Sequence, residues 1–195
     1  RKEDIWVAII GCIADHYMPD FVEEFAKEYP EYWGKDIIEP FDVYYKTEIG
    51  RIAMGLNFGL KDSISHVVQF QNFLISTKGP EDVFAESSSN YSFRTKYKEV
   101  KKKYDSLLNK AKTALSGNLL FFEYGGDLSI SGDLANELSY IYKNKYLGVA
   151  YIKGGITNIS LRGDNVKEIL DRILKNIEYS SGGGHRDAVG ARIKT

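Results

Sequence analysis

Apolar positions change their period along this chain, and the changes divide it. Ile5-Trp6-Val7-Ala8-Ile9-Ile10 is an unbroken apolar run rich in β-branched residues. It reads as a buried strand of an α/β sheet, with Gly11-Cys12-Ile13-Ala14-Asp15 as its carboxyl end and following turn. Pro19 and Asp20 then open a helix to about Glu28, and Pro30 ends it. Two further helical patterns run from Glu48 to Leu60 and from Ser63 to Ile75, joined by the turn Gly59-Leu60-Lys61-Asp62 and stopped by Gly79-Pro80. Ser87-Ser88-Ser89-Asn90 is a polar cluster suited to a boundary and a helix cap. Beyond it a long helix is predicted over Phe93 to Leu115, with Phe93, Tyr97, Val100, Tyr104, Leu107, Leu108, Ala111 and Leu115 on its apolar stripe.

After Gly117 the period shortens. Leu119 to Tyr124 reads as a strand, and Ser131 to about Tyr142 as a helix. Tyr146 to Ile152 and Ile156 to Leu161 read as strands of a hairpin turned at Lys153-Gly154-Gly155. A helix from Val166 to Ile177 leads to Gly182-Gly183-Gly184-His185, read as a loop before a strand at Ala191 to Lys194. The expected class is α/β, in three pieces: the end of a parallel-sheet domain over 1–89, a connector helix over 90–116, and a small α/β domain with a mixed sheet over 117–195.

Composition narrows the chemistry. The 195 residues are 43% hydrophobic and 27% charged, enough for a substantial core in one or two domains. A net charge of -1 gives no global pull on polyanions, so any phosphate site has to be a local patch. Cys12 is the only cysteine, which rules out an internal disulfide and a cysteine zinc cage and points to a reducing, cytoplasmic setting. The run Ile5 to Ala14 is too short to span a bilayer, so no membrane partner is expected. The chain opens at Arg1, without methionine, and reads as a fragment or a processed product.

Three features carry candidate chemistry. The triple glycine lets backbone amides approach an anion with no Cβ in the way, and His185 follows at once. Arg162 ends the second hairpin strand, where a guanidinium can fork onto phosphate oxygens in the same cleft. Each also has a plain alternative: a surface ion pair for Arg162, a long turn for the glycines, and a backbone-satisfied loop residue for His185. Asp15, at the expected strand end, is a candidate ligand for a hard metal, or else a cap for the next helix. His16 beside it would point the opposite way on an extended chain, and His66 reads as a packing residue on an apolar helix face. The lysine-rich face of the long helix, around Lys101 to Lys103, reads as solvated surface in preference to a nucleic-acid track.

Gly182-Gly183-Gly184-His185-Arg186-Asp187-Ala188-Val189-Gly190 resembles the Gly-Gly-Gly-His-x-x-Ala-x-Gly signature of the domain associated with the DHH phosphoesterases, RecJ-like members in particular. Asn158-Ile159-Ser160-Leu161-Arg162-Gly163 is similar to the Ser-x-Arg strand of that domain, and Trp6 to Asp15 resembles the fourth motif of the catalytic domain. The alanyl-tRNA synthetase branch generally carries glycine where His185 stands, which favours the phosphoesterases. The resemblance implies a carboxyl-terminal part of a metal-dependent phosphodiester hydrolase whose first three motifs would precede Arg1. It implies a metal role for Asp15, toward Mn2+ or Mg2+ in the intact protein. Substrate-binding roles follow for Arg162, Gly182, Gly183, Gly184 and His185, with His185 also catalytic. The expected substrate is single-stranded DNA or RNA cut by an exonuclease. Hydrolysis of short oligonucleotides, cyclic dinucleotides or adenosine bisphosphate is one alternative, and a non-catalytic scaffold with a replication-protein partner is another. The fragment alone is expected to be inactive.

Overall fold

The computed structural model describes residues 4–194. Contacts divide them into two compact units, with the division between Lys101 and Lys102. The first is helical: α1 (Ile5–Ala14), α2 (Val22–Glu28), α3 (Pro40–Lys46), α4 (Glu48–Gly59), α5 (Ile64–Ser76), a 3-10 helix at Pro80–Val83, and the leading part of α6 (Tyr91–Lys112).

The run expected to be a strand is therefore a helix. In α1 the buried residues are Ile5, Trp6, Ile9, Ile10 and Ile13, while Val7 is 51% exposed. Burial at i, i+1, i+4, i+5 and i+8 is one helical face, and ten residues is long for a buried strand. No strand occurs in this unit among the described residues, so the expected end of a parallel sheet is absent here.

Helix α4 packs against both α1 and α3. Thr47 caps it: the hydroxyl oxygen accepts from the Gly50 amide at 3.0 Å and donates to the Val43 carbonyl at 2.7 Å, which joins α3 to α4. Gly50 is required for that junction, since a Cβ there would lie 2.1 Å from the Val43 carbonyl oxygen. The expected boundary at Ser87–Asn90 sits inside this unit. Asn90 is buried, and its amide nitrogen donates to the carbonyls of Val83 at 3.2 Å and Ala85 at 2.8 Å.

The second unit carries the trailing part of α6, then β1 (Leu115–Ser116), β2 (Leu119–Gly125), α7 (Ser131–Ile141), β3 (Tyr146–Lys153), β4 (Ile156–Arg162), α8 (Val166–Leu174), β5 (Ser180–His185) and β6 (Ala188–Lys194). The six strands form one mixed sheet in the order β1-β2-β3-β4-β6-β5, with β2 and β3 parallel and every other pair antiparallel.

Register sorts the side chains between the two faces, because neighbours in a row point the same way and alternate along each strand. Leu120, Tyr124, Leu147, Val149 and Tyr151 share one face, which α7 covers with Leu134, Ala135 and Leu138. Ile159, Leu161, Val189 and Ala191 share the other, where α8 packs Val166 and Leu170 against them. Helix α7 contacts β3 and β4, whereas α8 contacts β5 and β6. Within this unit neither α7 nor α8 covers the α7-side face of β6 and β5.

Candidate anion-binding face

That face is built by two matched rows. Arg162 pairs with Ala188, which pairs with His185; Ser160 pairs with Gly190, which pairs with Gly183. Both rows run from β4 across β6 to β5, about 10 Å at the usual strand spacing. With glycine at two of the three positions in the second row, the floor between Ser160 and the sheet edge is bare backbone. A Cβ added to Gly183 would meet nothing within 4 Å.

The rim is held in place by α7. Arg162 donates through Nε to Asn136 Oδ1 at 2.8 Å and through Nη1 to the Leu161 carbonyl at 2.8 Å, so its guanidinium is oriented in advance. The Ser131 hydroxyl, in the first turn of α7, lies 3.0 Å from that of Ser160. This brings the positive end of a helix to the same margin. His185 is exposed, and its side chain has no hydrogen-bond partner among the described residues.

The glycine run is not the loop that sequence suggested: it is the edge strand β5, joined to β6 by the two-residue turn Arg186-Asp187. The β4–α8 connection clamps this turn. Gly163 N–H donates to the Asp187 carbonyl at 3.1 Å, Lys167 N–H to the Arg186 carbonyl at 3.0 Å, and Asn165 N–H to Asp187 Oδ1 at 2.8 Å. Arg186 is paired with Asp164 at 2.8 Å, so of the motif's charges it is committed to structure.

The three glycines have three different surroundings. Only Gly183 lies on the Arg162 face. Gly182 faces α8, where a Cβ would come within 2.9 Å of Leu174 Cδ1 and 2.7 Å of the Gly190 carbonyl oxygen. Gly184 holds φ at +141°, and a Cβ would be 2.5 Å from the Ala188 carbonyl oxygen. Their amides are a separate matter. The Lys194 N–H donates to the Tyr179 carbonyl at 3.3 Å, so every second residue from Tyr179 to His185 bonds to β6. The N–H groups of Gly182 and Gly184 are turned to the open edge of the sheet.

The remaining candidates belong to the first unit. Asp15 is an exposed residue capping the carboxyl end of α1, not the end of a strand, so the structural basis of the motif-four reading is lost. The described residues contain no group of three or more His, Cys, Asp or Glu side chains able to hold a metal ion. A hard divalent cation takes about six oxygen ligands, of which Asp15 would supply one carboxylate. The His16 ring lies against Phe41, with 4.2 Å between ring centroids and a tilt of 31°. His66 is exposed, with Nδ1 3.0 Å from Asp62 Oδ2, and is not the packing residue expected. Sequence reasoning undervalued Gly190, which completes the floor, and did not single out Asn136, which aims Arg162. The spacing of Gly190 within the signature was the available signal for the first; nothing local marks the second.

No protein-family model matches the sequence, and no curated protein matches it. Solved structures do. Thermus thermophilus RecJ in complex with Mg2+ matches over 98% of this chain and 32% of its own, with 15% identity and a TM-score of 0.63. The same protein with Mn2+ gives 97%, 30%, 15% and 0.59. A DHH domain from a member of a ribosomal-protein family matches over 97% of this chain and 46% of its own, with 16% identity and a TM-score of 0.54. The fold is therefore similar to that of these RecJ and DHH-domain structures. The chain spans about a third of the length of the RecJ chains it resembles.

Proposed function

We propose that the α7-side face of β4, β6 and β5 binds the phosphate of a nucleic acid or nucleotide, as the substrate-holding part of a DHH-type phosphoesterase. One observation carries this reading: Arg162 and His185 share a row beside a floor of Gly190 and Gly183, with the guanidinium already oriented by Asn136. A preoriented arginine supplies charge in a fixed direction, and the glycine floor lets a phosphoryl group come down to the backbone. His185 stands where a neutral or protonated imidazole can donate to a phosphoryl oxygen, which would stabilise charge that develops there during displacement.

The substrate class favoured is single-stranded DNA or RNA, in keeping with a RecJ-like exonuclease. Hydrolysis at the phosphodiester, and the Mn2+ or Mg2+ it would use, are proposals about the whole protein. Asp15 enters no step of the binding account. No described helix is long and apolar enough to cross a membrane. The reading is tested by equilibrium binding of a labelled nucleotide to the chain at two salt concentrations. Affinity should fall as salt rises, and fall further with Arg162→Ala than with Arg162→Lys, because lysine keeps the charge but not the fork. Equal affinity of all three proteins would overturn it.

A further inference from the structure

The face that carries Arg162 does not end at the glycine floor. The row Asn158, Arg192 and Ser181 continues it along the same strands, and Ile156 and Lys194 follow, with Tyr179 in the turn before β5 bonded through its carbonyl to the Lys194 amide. Arg162 to Ile156 spans six residue steps of β4, about 20 Å at the usual rise. At this far end a pocket opens between Tyr179, Ser181, Arg192 and Lys194 and the hairpin glycines Gly154 and Gly155.

Its residues are unusual for a surface with nothing to bind. Tyr179, in the turn just before β5, is 81% exposed and holds φ at +54°, a conformation that a bulky side chain adopts rarely. Lys194 Nζ lies 5.7 Å from the centre of that ring. Among the described residues neither Arg192 nor Lys194 is paired with a carboxylate, whereas Arg172 and Arg186 of the same unit are paired with Glu168 and Asp164. An exposed aromatic ring flanked by two uncommitted cations and a hydroxyl is the composition that stacks a base and holds its phosphate.

We propose that Tyr179, Arg192 and Lys194 form a second nucleotide subsite, so that the ligand of this face is a single-stranded polynucleotide that runs along β4, β6 and β5. This inference rests on the phosphate-binding reading of Arg162 and adds a second point of contact to it. A single nucleotide held at the Arg162 end does not reach a site about 20 Å away. A strand of several nucleotides does, and it crosses the bare glycine floor between the two charged ends.

The test compares thymidine 5′-monophosphate with a twelve-nucleotide oligothymidylate on the full chain, by fluorescence anisotropy competition over a salt series. Far-UV circular dichroism serves as the folding check. The Arg192→Ala/Lys194→Ala variant should bind the oligonucleotide about tenfold more weakly, with a log–log salt slope shallower by about 1.4 for two lost phosphate contacts. Its affinity for the mononucleotide should match that of the wild type. Tyr179→Ala should cost the oligonucleotide about fivefold or more through lost stacking, with the salt slope unchanged. Arg162→Ala should weaken both ligands. If the double variant binds the oligonucleotide as the wild type does, or loses both ligands alike, the second subsite is refuted while the Arg162 site stands. If Arg162→Ala changes neither ligand, the underlying phosphate-binding reading fails.

Discussion

Replacing each of the three glycines by alanine, one at a time, separates what the motif does for the fold from what it does for a ligand. At Gly184 the φ of +141° and the 2.5 Å approach of a Cβ to the Ala188 carbonyl oxygen both oppose the change. Backbone strain of about 1–3 kcal/mol adds to a similar cost of overpacking, so Gly184→Ala should lose about 2–6 kcal/mol. At Gly182 the φ is permissive, but the methyl would press on Leu174 and the Gly190 carbonyl, for about 1–3 kcal/mol. At Gly183 there is no obstruction at all. Alanine in a strand outranks glycine by about 0.5–1 kcal/mol, so Gly183→Ala should stabilise the sheet. It should nonetheless weaken phosphate binding by about tenfold, because the methyl stands on the floor beside Arg162. The two tryptophans, Trp6 and Trp33, lie in the first unit, so their fluorescence does not report on this sheet. Amide hydrogen exchange across β4, β5 and β6 does, with nucleotide titration alongside. If Gly183→Ala destabilises the sheet as much as Gly184→Ala, the assignment of faces is wrong; if it is stable and binds normally, the floor is not the site.

Other outcomes follow from the same contacts. Asn136→Ala removes the acceptor for Arg162 Nε at 2.8 Å and should weaken nucleotide binding severalfold, measured by calorimetric titration, with little change in salt slope because the charge remains. Tyr124→Phe leaves the buried Ile130 N–H without its acceptor at 2.7 Å and should cost about 1–3 kcal/mol by hydrogen exchange in the second unit. Burial raises the pKa of this hydroxyl above the ordinary tyrosine value of 10, with the Ile130 amide acting the other way. The protonated form is thus the one the fold favours; its contribution is present below pH 10 and is lost as pH rises further, so the wild type should lose stability in alkali more steeply than Tyr124→Phe. In the first unit, Thr47→Ala should cost about 1 kcal/mol in urea unfolding followed by tryptophan fluorescence, through the lost cap on Gly50.

Most of the second unit was legible because its elements are short and sharply punctuated. Leu119 to Tyr124, the Gly154-Gly155 hairpin and the helix after Asn165 all fall within a residue or two of their positions in the fold, apart from the end of α8 at Leu174. Ile5 to Ala14 was misread because a continuous apolar run hides its period: Ile9 and Ile13 are buried and Val7 and Ala14 are exposed, but all are apolar. The glycine run was misread for the opposite reason. Glycine has little strand preference of its own, and only pairing with β6 makes β5 a strand. Arg162 and His185 could be placed in one cleft from sequence, yet which of the three glycines faces them depends on register, and register is a tertiary fact. The pairing of Asn136 with Arg162, 26 residues apart, has no local signature either.

The central claim is that the Arg162 face of the second unit holds phosphate. An amide and arginine side-chain NMR titration of the chain with a short single-stranded oligonucleotide tests it most directly. Gly183, Gly190, His185 and the Arg162 Nε–H should shift together, with a midpoint that rises with salt. Shifts confined to the basic face of α6 around Lys101 to Lys103, with the glycine resonances of β5 and β6 unmoved, would contradict it.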